Sequence, residues 1–310
     1  MRLLVTGSSG FVGGWLLAHL AELGDEVVAL DERTDITDRA AIRDAVVAAA
    51  PDAVVHLAAQ ASVGSSWGDE GRTFSVNAGG TLNLLDAAAA CTPMPRVLLI
   101  SSAEVYGRVT PDQLPLPESA PMRPVSPYAV SKAAAELLGL QAWLGRGLEV
   151  VRARPFNHTG PGQRPDFVVP SLARQVAEAA RSGAGALHVG NLSARRDLTD
   201  VRDVVRAYRL LVEHGAPGEA YNVCRGSAVG IDDVARRLLE LAAVDVPVVV
   251  DPERVRPVDI PELRGDPAAI EAATGWRPEI PWDATLGDLL AAWGQPTGPA
   301  RGATNGTRPA

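Results

Sequence analysis

A short apolar run, Arg2 to Thr6 (RLLVT), passes without a break into Gly7-Ser-Ser-Gly10-Phe-Val-Gly13. A helical pattern follows, with apolar residues at Trp15, Leu16, Leu20 and Leu23 and a glycine stop at Gly24. This junction limits the fold more than any other stretch of the chain. A brief, uninterrupted apolar run reads as a strand buried on both faces of a parallel sheet. Glycines at the turn let the backbone approach a pyrophosphate and let helix and strand pack closely. The helix start offers unpaired N–H groups and the positive end of its dipole to that phosphate. A dinucleotide is therefore expected along Gly7, Gly10, Phe11, Val12 and Gly13.

Downstream, strand and helix signals alternate. Glu26 to Leu30 (EVVAL) is a second strand, ending at Asp31. A carboxylate there accepts hydrogen bonds from a ribose 2′-hydroxyl and repels a 2′-phosphate, which favours NAD(H) over NADP(H). Arg33, two residues on, works against that preference. Asp35 and Ile36 fall where an adenine would lie, and Ile42, Val46 and Ala49 mark the next helix. Asp52 to Ala59 (DAVVHLAA) is a third strand; beyond Leu57, Ala58 and Ala59 are small enough for a cofactor to lie against the chain. His56, in mid-strand, is expected to be a packed, hydrogen-bonded core histidine. Val76 to Ala90 has helical spacing, with Asn77 near its start as either a site residue or a cap. Arg96 to Ser101 (RVLLIS) and Leu148 to Ala153 (LEVVRA) add two more strands. The alternation predicts an α/β chain with a Rossmann-type doubly wound parallel sheet.

Ser102 stands at the carboxyl end of a strand, where open α/β sheets bind their ligands. Further on, Ser126-Pro127-Tyr128-Ala-Val-Ser-Lys132 opens a helix with an N-cap serine and proline at the first position. Tyr128 and Lys132, four residues apart, share one helix face. An ammonium beside a phenol stabilises the phenolate, so the tyrosine pKa is expected to fall toward the range of acid–base catalysis. With Ser102 donating to the same oxygen, the three make a proton-transfer site for a carbonyl or carbinol. Glu104 is either a catalytic carboxylate or a solvated loop acid.

The second half has a different texture. Arg154-Pro-Phe-Asn157-His-Thr-Gly-Pro-Gly-Gln163 reads as a polar loop suited to gripping a ligand. Helices are expected at Pro170–Arg181, Asp200–His214, Ile231–Ala242 and Thr285–Trp293, and strands at Leu187–Gly190, Ala220–Cys224 and Val246–Val250. These predict a smaller C-terminal α/β lobe, to which the resemblance named below assigns substrate binding, followed by a disordered tail at 295–310. Apolar content of 46% and charged content of 21% fit a soluble globular chain, and a net charge of −8 argues against nucleic-acid binding. Cys91 and Cys224 cannot build a disulfide framework, and no metal-ligand spacing is present. Without a signal peptide or a membrane-length apolar run, a cytoplasmic protein is expected.

Three further stretches are specific: Arg154 to Gln163, Val189-Gly-Asn-Leu-Ser-Ala-Arg-Arg196-Asp, and Arg256-Pro-Val-Asp-Ile-Pro-Glu-Leu-Arg-Gly-Asp266. With the glycine turn, Ser102 and the Tyr128/Lys132 pair, they make the chain resemble the extended short-chain dehydrogenase/reductases acting on nucleotide sugars. Within these it is similar to the branch of GDP-mannose 4,6-dehydratases and GDP-4-keto-6-deoxy-D-mannose reductases. The resemblance implies that Tyr128 protonates a keto oxygen, that Ser102 hydrogen-bonds that oxygen, and that Lys132 holds the nicotinamide ribose. It implies Asn77 and Pro155 beside the cofactor, and Ala103, Asn157, Val168 and Val169 beside the sugar nucleotide. Arg196 and Arg256 would clamp its diphosphate through bidentate contacts.

Glu104 matches the glutamate with which 4,6-dehydratases remove the C-5 proton, so dehydration stays open. GDP-mannose dehydratases usually carry an arginine- and serine-rich NADP loop after the second strand, whereas Asp31 here leads to Ile36 with no insertion. That favours NAD(P)H-dependent reduction of a GDP-4-keto-6-deoxyhexose to a product of the GDP-rhamnose type. An intact Ser102, Tyr128 and Lys132 disfavours a non-catalytic dinucleotide binder. The resemblance further implies a homodimer through the helices at 76–90 and 126–143. Residues 1–164 and about 197–228 would form the dinucleotide lobe, and about 165–196 and 229–294 the sugar-nucleotide lobe.

Overall fold

The computed structural model describes residues 1–31, 33–252 and 260–294; Arg256 and the 295–310 tail lie outside the described residues. Leu3, Leu4 and Val5 of β1 (Arg2–Thr6) are almost wholly buried, as a strand covered on both faces must be. The chain continues through α1 (Phe11–Glu22), β2 (Glu26–Ala29), α2 (Arg39–Ala49) and β3 (Ala53–His56). Next, α3 (Glu70–Phe74) runs through a π-helical turn, Ser75–Gly79, into α4 (Gly80–Ala89). The helix expected at 76–90 thus starts earlier, because Asp69 accepts the Arg72 N–H as a cap. After β4 (Arg96–Ile100) a 3-10 turn, Ala103–Tyr106, precedes α5 (Pro127–Arg146) and β5 (Val150–Pro155).

The chain then leaves this body through β6 (Asn157–Thr159), α6 (Val168–Ser182), β7 (Leu187–Val189) and β8 (Arg195–Asp200). It returns with α7 (Val201–His214) and β9 (Ala220–Val223). The described remainder is β10 (Ala228–Gly230), α8 (Ile231–Ala242), β11 (Val248–Val250), β12 (Glu262–Leu263), α9 (Ala268–Thr274) and α10 (Trp282–Ala292).

Six strands pair in parallel in the order β2-β1-β3-β4-β5-β9. The order reverses at β1, where β2 and β3 flank it on opposite sides; open α/β sheets bind ligands beyond the strands' carboxyl ends at such a reversal. Leu16, Leu20, Val204, Tyr208 and Leu211 of α1 and α7 cover one face; Ile42, Val46, Leu84, Leu85 and Ala142 of α2, α4 and α5 cover the other. In the second lobe β8 pairs with β10, β12 and β6, and β7 pairs with β11. Leu172, Val176, Leu238 and Leu289 of α6, α8 and α10 pack behind them.

The chain crosses between lobes more often than the expected boundaries at 164, 197 and 228. β6 and all of β8 belong to the small sheet, whereas Ile270 and Trp276 pack in the core of the first lobe. Strands as short as β6, β10 and β12 show no period in sequence, and only pairing with distant segments creates them. Among the described residues no helix is long and apolar enough to cross a membrane, and no His/Cys/Asp/Glu group is arranged to hold a metal.

Candidate active site

Gly7 takes φ +68°, and a Cβ there would lie 2.7 Å from the Ala58 nitrogen. Glycine is thus required where the ends of β1 and β3 meet. At Gly13 a Cβ would stand 2.3 Å from the Gly7 carbonyl oxygen, so α1 leaves the turn as closely as backbone allows. Gly10 caps α1 without a side chain, which leaves the first-turn N–H groups of Phe11, Val12 and Gly13 to a ligand. This cradle fits a dinucleotide pyrophosphate. Leu57 is tied to β1 through its N–H to the Thr6 carbonyl, and Ala58 and Ala59 stay half-buried beyond the end of β3.

At the far edge, exposed Asp31 is gripped by Arg33. Nε and Nη2 donate to its two oxygens at 3.1 and 2.7 Å, the Arg33 N–H adds a third bond, and these hold the carboxyl down at about 2. Asp35 accepts from the Thr37 N–H and hydroxyl, and Ile36 is buried against Gly80, where a Cβ would meet its Cγ2 at 2.7 Å. Both side chains proposed beside the adenine are therefore engaged by the protein.

Ser126 Oγ accepts the Ala129 N–H and Pro127 fills the first helical position, so α5 starts as its sequence predicts. Tyr128, Lys132 and Glu136 form one buried stripe. The Ser102 hydroxyl lies near the Tyr128 hydroxyl and favours its charged form. Burial pushes the phenol up to about 12; the nearby Ser102 hydroxyl pulls it back, and the Glu104 charge adds to the rise. The expected drop toward the catalytic range is thus reversed. Lys132 Nζ donates to the Ile100 carbonyl at 2.8 Å, and burial brings its own pKa down to about 8. A phenol held this high keeps its proton at neutral pH, which suits a donor. Ser102 Oγ also accepts the Glu104 N–H at 3.2 Å, fixing the turn that carries buried Ala103 and half-buried Glu104.

Asn77 is a strut, placed by the π-helical turn. Its Oδ1 accepts the Gln60 N–H, while Nδ2 donates to the Gln60 carbonyl and to Ser131 Oγ. Ser131 in turn donates to the Tyr128 carbonyl at 2.7 Å, tying the loop after β3 to the tyrosine helix. His56 is the core histidine expected: Nδ1 meets Thr6 Oγ1 at 2.8 Å and Nε2 meets Thr81 Oγ1 at 3.0 Å. Thr81 gives its proton to the Asn77 carbonyl, so Nε2–H donates and Nδ1 accepts. Burial, with Lys132 assisting, lowers the imidazole pKa to about 3 and keeps it neutral.

The segment after β5 packs on the start of α1. His158 stacks on Phe11 with ring centroids 6.5 Å apart, and Trp15 Nε1 donates to the Pro161 carbonyl. Asn157 is exposed at the head of β6, Pro155 is buried, and Val168 is exposed while Val169 is in the second core. Arg196 is half-buried, its Nη1 donating to the Ile260 and Arg195 carbonyls. Arg154 corrects the expectation of a ligand-gripping loop. It belongs to β5, and its guanidinium is buried on Glu136 and Tyr106. Sequence reasoning missed Glu136 and Tyr106; the i, i+4 step from Lys132 would have found the first.

A family model for GDP-mannose 4,6 dehydratase matches residues 32–289. The chain is 42% identical to a GDP-6-deoxy-D-mannose reductase of Pseudomonas aeruginosa, over 94% of this chain and 97% of that one. It is 27% identical to a GDP-mannose 4,6-dehydratase of Vibrio cholerae, covering 93% and 92%. In structure it is similar to RMD from Pseudomonas aeruginosa complexed with NADPH, with a TM-score of 0.87, 41% identity and coverage of 94% and 98%. It is also similar to a Thermus thermophilus UDP-glucose 4-epimerase in complex with NAD, with a TM-score of 0.85, 30% identity and coverage of 94% and 99%.

Proposed function

The chain belongs to the GDP-mannose 4,6-dehydratase family of extended short-chain dehydrogenase/reductases, and on that premise we propose that it reduces the 4-keto group of a GDP-4-keto-6-deoxyhexose with NAD(P)H. One observation carries the reading: a buried Tyr128 hydroxyl beside buried Ser102 at the carboxyl end of β4, where burial favours the protonated phenol. The nicotinamide, when bound, supplies the hydride. Tyr128 delivers the proton from Oη to the keto oxygen as charge develops there. Ser102 donates to the same oxygen, so both donors are oriented before reaction. Lys132, close to the strand end, holds the ribose hydroxyls. Asn157, Val168 and Arg196 face the sugar nucleotide.

Asp31 and Arg33 neutralise each other, which supports use of both cofactors: Arg33 for a 2′-phosphate and Asp31 for a 2′-hydroxyl. Val130, Leu137 and Leu144 leave an apolar stripe exposed on α5, with Phe74 and Leu82 exposed beside it. That stripe supports a homodimer through these helices, and a cytoplasmic setting completes the proposal. A second reading, 4,6-dehydration, is favoured by the reach of the Glu104 charge to the Tyr128 hydroxyl.

Absorbance of the reduced nicotinamide tests this. NADH or NADPH is mixed with GDP-4-keto-6-deoxymannose, and GDP-mannose with oxidised cofactor is run in parallel. Cofactor oxidation that requires the keto sugar is the expected outcome. A keto product from GDP-mannose, with no net absorbance change, would replace the reductase with the dehydratase.

A further inference from the structure

Arg154 lies beneath the proton-donating site and is 4% exposed. Its Nε and Nη2 grip the Glu136 carboxylate at 2.6–3.1 Å. On the other side, Nη1 donates to the Tyr106 hydroxyl at 2.9 Å and to the Glu118 carbonyl at 2.8 Å. The guanidinium also stands 5.0 Å from the centre of the Tyr106 ring. Tyr106 passes its own proton to Asn222 Oδ1 at 2.6 Å, so its hydroxyl has little freedom.

The two arms lead to the two halves of the site. Glu136 follows Tyr128 and Lys132 along the buried stripe of α5, so it holds the helix that carries the proton donor. Tyr106 closes the turn that opens at Ser102 and carries Glu104. One planar fork thus fixes both in a single geometry, which a flexible ammonium could not do.

We propose that Arg154, acting through Glu136 and Tyr106, is a positioning residue that sets the separation between Tyr128 and the Ser102–Glu104 turn. The inference rests on the reductase reading only for its kinetic assay.

Two mild variants test it. Tyr106→Phe removes one oxygen and cuts one arm; Glu136→Gln keeps the shape and weakens the other. With NADPH and GDP-4-keto-6-deoxymannose, each is expected to lower kcat about ten- to a hundredfold. KM, and the NADPH dissociation constant from tryptophan quenching, should change by less than about twofold. The double variant should lose less than the product of the two single effects, because both act on one fork.

A crystal structure of Tyr106→Phe gives a readout that needs no substrate: the Ser102 and Tyr128 hydroxyls should move apart. If the wild-type protein does not oxidise NADPH with this sugar, the reductase reading falls, and the hydroxyl separation still decides the inference. A lowered Tm with unchanged kcat and unchanged separation would make the cluster merely structural and overturn the proposal.

Discussion

Glu136 and Asp197 are carboxylates buried to the same degree, one in each lobe, and the chain satisfies them by opposite means. Glu136 sits between two guanidinia, those of Arg154 and of Arg152 at 3.2 Å. Asp197 is held by peptide N–H groups, from Arg225 at 2.8 Å, Gly226 at 2.9 Å and Gly265 at 3.4 Å. Burial outweighs those bonds and raises its carboxyl to about 6. A charge fork gives directional, rigid geometry, and it is found on the buried stripe of α5 that carries Tyr128 and Lys132. Peptide dipoles instead join β8, the turn after β9 and the exit of β12, where they leave a group that titrates in weak acid. Around Glu136 charge aims side chains; around Asp197 it holds short strands together.

Removing each carboxylate tests that contrast. Glu136→Ala should cost about 3–5 kcal/mol in urea unfolding, because two buried guanidinia lose their counter-charge. A loss below about 1 kcal/mol would mean that solvent or a neighbour replaces the carboxylate. Asp197→Ala should cost less, about 1–3 kcal/mol, since it strands uncharged N–H groups. The reverse order of the two would break the comparison.

Two pH experiments sharpen it. Asp197 binds its proton more tightly folded than unfolded, its pKa being about 6 against an ordinary 3.8. Its contribution to stability is therefore full below about 3.8 and is lost as pH rises through about 6. Urea midpoints of wild type minus Asp197→Asn should fall across that window; a flat difference would place Asp197 in open solvent contact. In the first lobe the sensitive group is Lys132, charged below about 8. The kcat/KM of the reduction should decline as pH rises through about 8, while the phenol at about 12 stays protonated. An alkaline limit well above that would remove Lys132 from the step. The smallest effect belongs to the surface. Arg33→Ala should leave Tm unchanged and weaken NADPH several-fold relative to NADH in fluorescence titration, and equal weakening of both would dissociate Arg33 from the 2′-position.

Legibility follows the range of the interaction. Gly7 and Gly13 are readable because the contacts that exclude a Cβ arise within one strand-turn-helix unit and its neighbouring strand end. Ser126 and Pro127 announce α5, and the four-residue step places Tyr128 above Lys132. Arg154 misled, since ten polar and glycine-rich residues read as a loop while backbone pairing with Asn222 makes Arg154 part of β5. Asn77 could be placed near the site but not given its bonding, because the π-helical turn that aims it leaves no period in the sequence.

What the sequence determined by itself is therefore the set of local elements: the parallel sheet, the glycine cradle, and a hydroxyl, a phenol and an ammonium brought to one strand end. Tertiary structure alone decided how those groups behave. The Tyr128 phenol rises and the Lys132 ammonium falls because burial disfavours both charges, and burial is a property of everything packed around them. The partners of Arg154, Glu136 and Asp197, and the pairing of β6, β8, β10 and β12, likewise join segments far apart in the chain, where no local pattern records who meets whom.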